Sequence, residues 1–346
     1  MDLILNFAKR YELFPAFIGA LSALAVVLIK DVIVPQLNQK RSHKERMRSL
    51  SERYSLPVAM CAVSLFYRLR EMIVYTRYDY LHKEQRTNSF NDYKYKSTVY
   101  RLASLIGWMQ AIKVEHSNLL QIDAANNTQI SEIFSPFEGA LADGPHVEND
   151  ILCQLSHLWS IDLSNVKNDI KNIANKADQI RNKFFNENKP DGGLDPTAIR
   201  EIADYICEST NQAQITDIII GNTIDQAINI LTPVQRWIYR DWQSAIGELM
   251  IKQVTGGIRR FDIIGYAEFE EMIGKNKWIM RLEEVLDGVN FEIKCNDYRV
   301  NQLTSILRET SLLIIEINNL QLRAKPVRKD TINHVNAILN TSVGQE

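Results

Sequence analysis

The chain has 346 residues, 45% hydrophobic and 24% charged, with a formal net charge of −2; it can hold one sizeable core or two small domains. The near balance hides an asymmetry: the first hundred residues are net basic by roughly seven and the rest net acidic by roughly nine, a distribution that suits anionic lipid headgroups without requiring a nucleic acid. Cys61, Cys153, Cys207 and Cys295 lie far apart with no C-x-x-C pair, which argues against a disulfide framework and for free buried thiols in a reducing compartment.

Residues 13–36 read LFPAFIGALSALAVVLIKDVIVPQ, and positions 13–29 carry no charge. Pro15 suits a first helical turn, where its missing N–H is no loss, and Pro35 stops the helix after Val34. The span between them is a helix of roughly 30 Å, about one hydrocarbon core. The sequence therefore predicts a transmembrane helix over 13–35. A secretory signal is the weaker reading, because the basic n-region, short apolar core and cleavage site are all poorly formed.

Residues 37–54, LNQKRSHKERMRSLSERY, set Lys40, Arg41, Lys44, Arg46, Arg48 and Arg53 against Glu45 and Glu52, whereas the other flank has Lys9 and Arg10. The positive-inside rule then leaves residues 1–12 as a short extracytoplasmic tail and puts the C-terminal part in the cytosol of a single-pass inner-membrane protein. The predicted divisions are a basic juxtamembrane segment over 36–54, a helical cytoplasmic domain over 55–322 and a C-terminal segment over 323–346.

The next apolar run, residues 55–76, is too short between Pro57 and Arg68 to span, and Arg68, Arg70 and Glu71 cut it. It reads as a buried or interfacial helix, with a re-entrant segment as the alternative. Further on, Val166, Ile170, Ile173, Ala177, Ile180 and Phe184 recur at spacings of four and three, a heptad seam. FNENKPDGGLDP then interrupts the chain. Asp195 can cap a new helix with Pro196 in its first turn, and Ile199, Ile202, Ala203 and Ile206 line one face. More helices are predicted within 97–116, 232–251, 268–288 and 298–322. VTGGIRRFDIIGYA reads as a hairpin turning at Gly256-Gly257. The fold class is mainly α, with at most a small hairpin.

Catalytic motifs are not found. His43, His82, His116, His146, His157 and His334 are scattered, and no G-x-S-x-G, Walker loop or G-x-G-x-x-G occurs. Glu268, Glu270 and Glu271 read as a solvated helix face. The sequence predicts no enzyme, metal or cofactor.

Two stretches carry binding chemistry. In residues 75–101 tyrosines alternate with cations, notably Tyr93, Lys94, Tyr95, Lys96 and Arg101. Aromatic faces stack bases while cations track phosphates, so a single-stranded oligonucleotide is a conceivable ligand; membrane-interface or interhelical packing is the plainer alternative. In TGGIRRFD two glycines let backbone N–H groups approach an anion that Arg259 and Arg260 would neutralise, the alternative being a plain turn with surface ion pairs. Within the span, Ala16, Gly19, Ala20, Ala23, Val27 and Lys30 share one side of the helix. Small residues let helices approach closely in lipid, which favours a homo-oligomer.

The segments VYRLASLIGWMQAIKVE, YRDWQSAIGELMI and FDIIGYAEF behind a single N-terminal span resemble those of bacterial membrane effectors of antiphage defence, in particular the Hailong-type effector. That resemblance implies a tetrameric membrane channel held closed by a single-stranded DNA oligomer, which a partner nucleotidyltransferase makes. It assigns a role to no individual residue. Two expectations result: a ligand- or partner-gated pore that depolarises the membrane, or a non-conducting anchored scaffold or sensor that recruits a partner.

Overall fold

The computed structural model describes residues 30, 34–120, 128–184, 194–232, 235–291, 297–320 and 325–342. The predicted tail and nearly all of the predicted span lie outside the described residues, including Ala16, Gly19, Ala20, Ala23 and Val27. Among the described residues no helix is long and apolar enough to cross a membrane. The chain divides into two compact units, 1–54 and 55–346.

The first helix among the described residues, α1 (Val34–Ile73), contains the basic juxtamembrane sequence and Pro57. In the first unit Lys30, Val34, Leu37 and Glu45 are exposed, and Arg53 Nε donates to the Ser49 carbonyl at 3.1 Å. The apolar run after it forms the C-terminal half of α1 and packs as a core element of the second unit: Val58, Ala59, Ala62, Leu65, Phe66, Leu69 and Met72 are buried.

The second unit is mainly helical. Among the described residues its helices and strands are α2 (Ser89–Leu120), α3 (Thr128–Leu141), α4 (Pro145–Leu158), α5 (Ile170–Phe184), α6 (Pro196–Ser209), α7 (Asp217–Leu231), α8 (Arg240–Met250), β1 (Ile251–Gln253), β2 (Phe261–Ile263), α9 (Tyr266–Glu270), α10 (Lys277–Leu286), α11 (Arg299–Asn319) and α12 (Lys329–Ser342), with short 3-10 turns between some of them. Helix α2 is its centre. Val99, Leu102, Ala103, Leu105, Ile106, Trp108, Met109 and Ala111 are all buried, so the middle of α2 is apolar nearly all round, as a helical stretch enclosed by neighbours must be. It packs against α8, α9, α10 and both strands.

A second cluster joins α4, α5, α6 and α7. Asp195 accepts from the Thr197 N–H and caps α6, with Pro196 at its start. Ile199, Ile202, Ala203 and Ile206 are fully buried, the single stripe that their spacing dictates. On α5, Ile173, Ala177 and Ile180 are buried and Phe184 packs against the same core. The seam starts one turn late, because Val166 belongs to a 3-10 turn, Ser164–Val166, ahead of the helix.

The strands pair antiparallel with Ile251 opposite Ile263 and Gln253 opposite Phe261, and Gly256 takes φ +77° in the connection, a conformation that favours glycine. Two predicted helices are corrected. The one over 232–251 begins only at Arg240, because Tyr239 is extended with ψ 157°. The one over 268–288 breaks into α9 and α10 at Gly274 (φ +69°), and Asn276 caps the second piece through the Trp278 N–H. The segment set apart as 323–346 contains α12, which packs on α11 through buried Thr331 and Val335. Tyr67 Oη also lies 3.2 Å from both Thr331 Oγ1 and His334 Nδ1. Expected buried thiols are found at Cys207 but not at Cys153, which is exposed; Cys61 is half-buried, and burial pushes its thiol up to about 11. Cys295 lies outside the described residues.

Candidate functional site

The tyrosine- and cation-rich stretch 75–101 forms two 3-10 turns, Asp79–Leu81 and Lys83–Gln85, and the first part of α2. Helical geometry separates its side chains into inward and outward sets. Tyr95 points inward and is 4% exposed, with the Arg86 guanidinium 3.6 Å from its ring centroid. Burial raises its phenol above the ordinary range, and the nearby Glu283 and Asp287 add to this. Arg86 also donates to Asp287 and to the Leu81 carbonyl. Tyr93 points outward and is 47% exposed, edge-on to Tyr266 at 6.0 Å.

The cations of this stretch have protein partners. Lys94 Nζ donates to Glu71 Oε1 at 2.6 Å, Lys96 pairs with Asp92 at 2.8 Å and Glu270 at 3.2 Å, and Arg101 donates to the Ser64 carbonyl at 3.0 Å. An open ladder of alternating rings and cations is therefore not what these residues build. Tyr95 belongs to the core and the lysines to ion pairs.

Around Glu71 the charges are unequal. Lys94, Arg68 at 3.7 Å and Arg77 all act on its carboxylate. Burial would raise the Glu71 pKa, but the Lys94 hydrogen bond and these positive charges outweigh it and leave it below its ordinary value. Burial and then the Arg68 charge lower the pKa of Arg101. The Tyr80 ring lies beneath two of the cations, 5.6 Å from Arg68 and 4.9 Å from Lys94. By sequence alone Arg68 and Glu71 read only as interruptions of an apolar run. Their positions four and seven residues after Ser64, on a helix whose other face is apolar, are the signal that places them on one side.

At the hairpin, Arg259 lies 3.6 Å from Asp262 and over the Trp108 ring at 5.4 Å. Arg260 is exposed, lies 5.2 Å from the Phe261 ring centroid, and its carbonyl accepts from the Val254 N–H. The structure thus brings Lys94 and Arg101 to one cluster, and places Arg259 and Arg260 in a separate turn with surface contacts. Lys30 is exposed in the first unit.

Two surface grooves lie among the described residues. One of about 840 Å³ runs between α5 and α6, with Ile180 and Tyr205 in its lining beside the paired Lys183 and Glu201. The other, about 550 Å³, lies between α3 and α11 and sets Glu132, Glu309 and Glu316 around Ile133, Leu312 and Leu313. Among the described residues no group of three His, Cys, Asp or Glu side chains is arranged to hold a metal ion. No family model matches the chain, and neither a curated protein nor a solved structure matches it.

Proposed function

We propose that the chain is a single-pass membrane effector whose N-terminal spans assemble into a pore, regulated by a ligand or partner on its helical cytosolic body. The observation that carries this reading is the uncharged stretch 13–29 followed by the basic sequence 37–54. Its length suits one hydrocarbon core and its flank suits the cytosolic face. The small-residue face Ala16, Gly19, Ala20, Ala23, Val27 and Lys30 supports self-association, since close packing drives helix association in lipid. Depolarisation in bacterial antiphage defence, a tetramer, and regulation by a nucleotidyltransferase partner or its single-stranded product follow from the resemblance to Hailong-type effectors.

The second reading is a non-conducting anchored scaffold that recruits a partner protein. The internal pairing of Lys94, Lys96 and Arg101 favours it, because it leaves the stretch 75–101 without a continuous cationic track for an oligonucleotide.

Reporter fusions after residue 12 and at the C-terminus, together with disulfide cross-linking of an Ala20→Cys variant in membranes, test the anchored-oligomer reading. Opposite-side reporters and a cross-linked dimer are expected. Reporters on the same side, or no cross-link at Ala20 under oxidation, would overturn it.

A further inference from the structure

We infer that the helical body holds a binding site for a phosphate-class oxyanion, built from Arg68 on α1, Lys94 and Arg101 on α2, and the Tyr80 hydroxyl beside Arg68. It concerns the second unit alone and is independent of whether the spans conduct.

The reason is an excess of buried donors. Arg68 is 5% exposed, yet its Nε and Nη1 have no hydrogen-bond partner, and Nη1 comes only within 3.7 Å of Glu71. The buried Tyr80 hydroxyl likewise has no partner at full hydrogen-bond geometry, and the Arg68 and Thr98 side chains are its near neighbours. A guanidinium buried with idle donors is costly, and a protein retains one where something satisfies it. Here three cations, Arg68, Lys94 and Arg101, meet the single Glu71 carboxylate. The deficit is of negative charge and of acceptor oxygens together.

A phosphate group supplies both. It carries one to two negative charges and several acceptor oxygens at tetrahedral angles, which suit the Arg68 fork, the Lys94 point charge and the Tyr80 O–H at once. Chloride would neutralise charge without serving diverging donors. The outer edge of the cluster is the half-buried pair Glu71 and Lys94, beside exposed Phe90, whose ring centroid lies 5.5 Å from Lys94. Entry from that edge exchanges ligands on Lys94: the Glu71 carboxylate leaves and the phosphate takes its place. Glu71 is thus the competitor that holds the site when it is empty of anion. Any organic group on the phosphate then lies toward Phe90.

The test is calorimetric titration of the full-length protein in detergent with inorganic phosphate and with phenyl phosphate, at ionic strength held constant with sodium chloride. Saturable binding of either supports the site, and the tighter of the two identifies free phosphate or a phosphate ester as its source. Glu71→Gln should strengthen binding several-fold, because it removes the competitor, and Arg68→Met should weaken it more than tenfold. In chloride alone Arg68→Met should leave the melting temperature unchanged or raised, since it deletes an unsatisfied charge. Binding of neither probe to wild type, or weaker binding by Glu71→Gln, would overturn the inference; the Glu71 result decides even if Arg68→Met misfolds.

Discussion

Gly107 on α2 and Met250 on α8 approach so closely that a Cβ on the glycine would stand 2.6 Å from the Met250 Cβ. The contact is reciprocated one turn away, where a Cβ on Gly247 of α8 would lie 2.5 Å from the Gln110 Cβ of α2. Two helices that share no room for a methyl group are locked in register. Gly107→Ala and Gly247→Ala should each cost about 1–3 kcal/mol through overpacking. Gly139→Ala on α3, where nothing lies within 4 Å, should be neutral or slightly stabilising. Thermal unfolding of the three variants checks this, and equal melting temperatures would contradict it.

Tyr93 and Tyr95 are neighbours in sequence with opposite fates. Tyr95→Ala empties a buried ring site beneath Arg86 and should destabilise by about 3 kcal/mol or more, on the scale of other large-to-small aromatic changes. Tyr93→Ala removes a ring that is 47% exposed and should cost less than about 1 kcal/mol. A stability loss at Tyr93 as large as that at Tyr95 would refute the inward and outward assignment.

The Glu71 carboxyl is held below its ordinary value, so its ionised form contributes stability above the unfolded-state pKa near 4.5. That contribution is fully present at neutral pH and is lost as pH falls through the lower folded-state value. Wild type should therefore melt above Glu71→Gln at pH 7, with the gap closing as the pH drops below about 4.5. A gap that widens with acid would reverse the sign.

Arg299 ties α10 to α11. Its guanidinium donates to both Asp297 oxygens at 2.8 and 2.7 Å and to the carbonyls of Glu284, Asp287 and Gly288, with both side chains under a tenth exposed. Asp297→Ala leaves that charge buried with no carboxylate and only three of these five hydrogen bonds, and should cost about 3–5 kcal/mol. The surface pair Lys183–Glu201 should contribute under about 1 kcal/mol. Denaturant titration of Asp297→Ala and Glu201→Ala compares them directly; similar losses would contradict the ranking.

Where one physical cause dominated, the sequence was readable. The α6 cap and stripe follow from Asp195, Pro196 and four apolar residues at helical spacing, all local signals. The hairpin was legible from two glycines. What local pattern cannot carry is partnership across the chain. The helical period of 232–251 continues through Tyr239, but packing against α3, where the Ile238 N–H bonds to the Leu141 carbonyl, draws that stretch out of the helix. Likewise Lys94 reads as a free cation beside tyrosines until Glu71, on a different helix, is seen to accept from it. Arg68 reads as a break in an apolar run until the Tyr80 ring, from a separate turn, is seen 5.6 Å from its guanidinium. The small-residue face of the predicted span lies outside the described residues and is legible from sequence alone.

The central proposal is that the span conducts, and ion flux decides it. Full-length protein is reconstituted into liposomes carrying a potassium gradient and followed with a potential-sensitive dye, without any regulator. Wild type should dissipate the gradient. Ala20→Leu and Ala23→Leu should insert equally well, because Leu enters the bilayer at least as readily as Ala, yet fail to conduct, because the larger side chains keep the spans apart; Ala25→Leu should behave as wild type. A gradient that persists with wild-type protein inserted in every liposome would contradict the pore and leave the anchored scaffold.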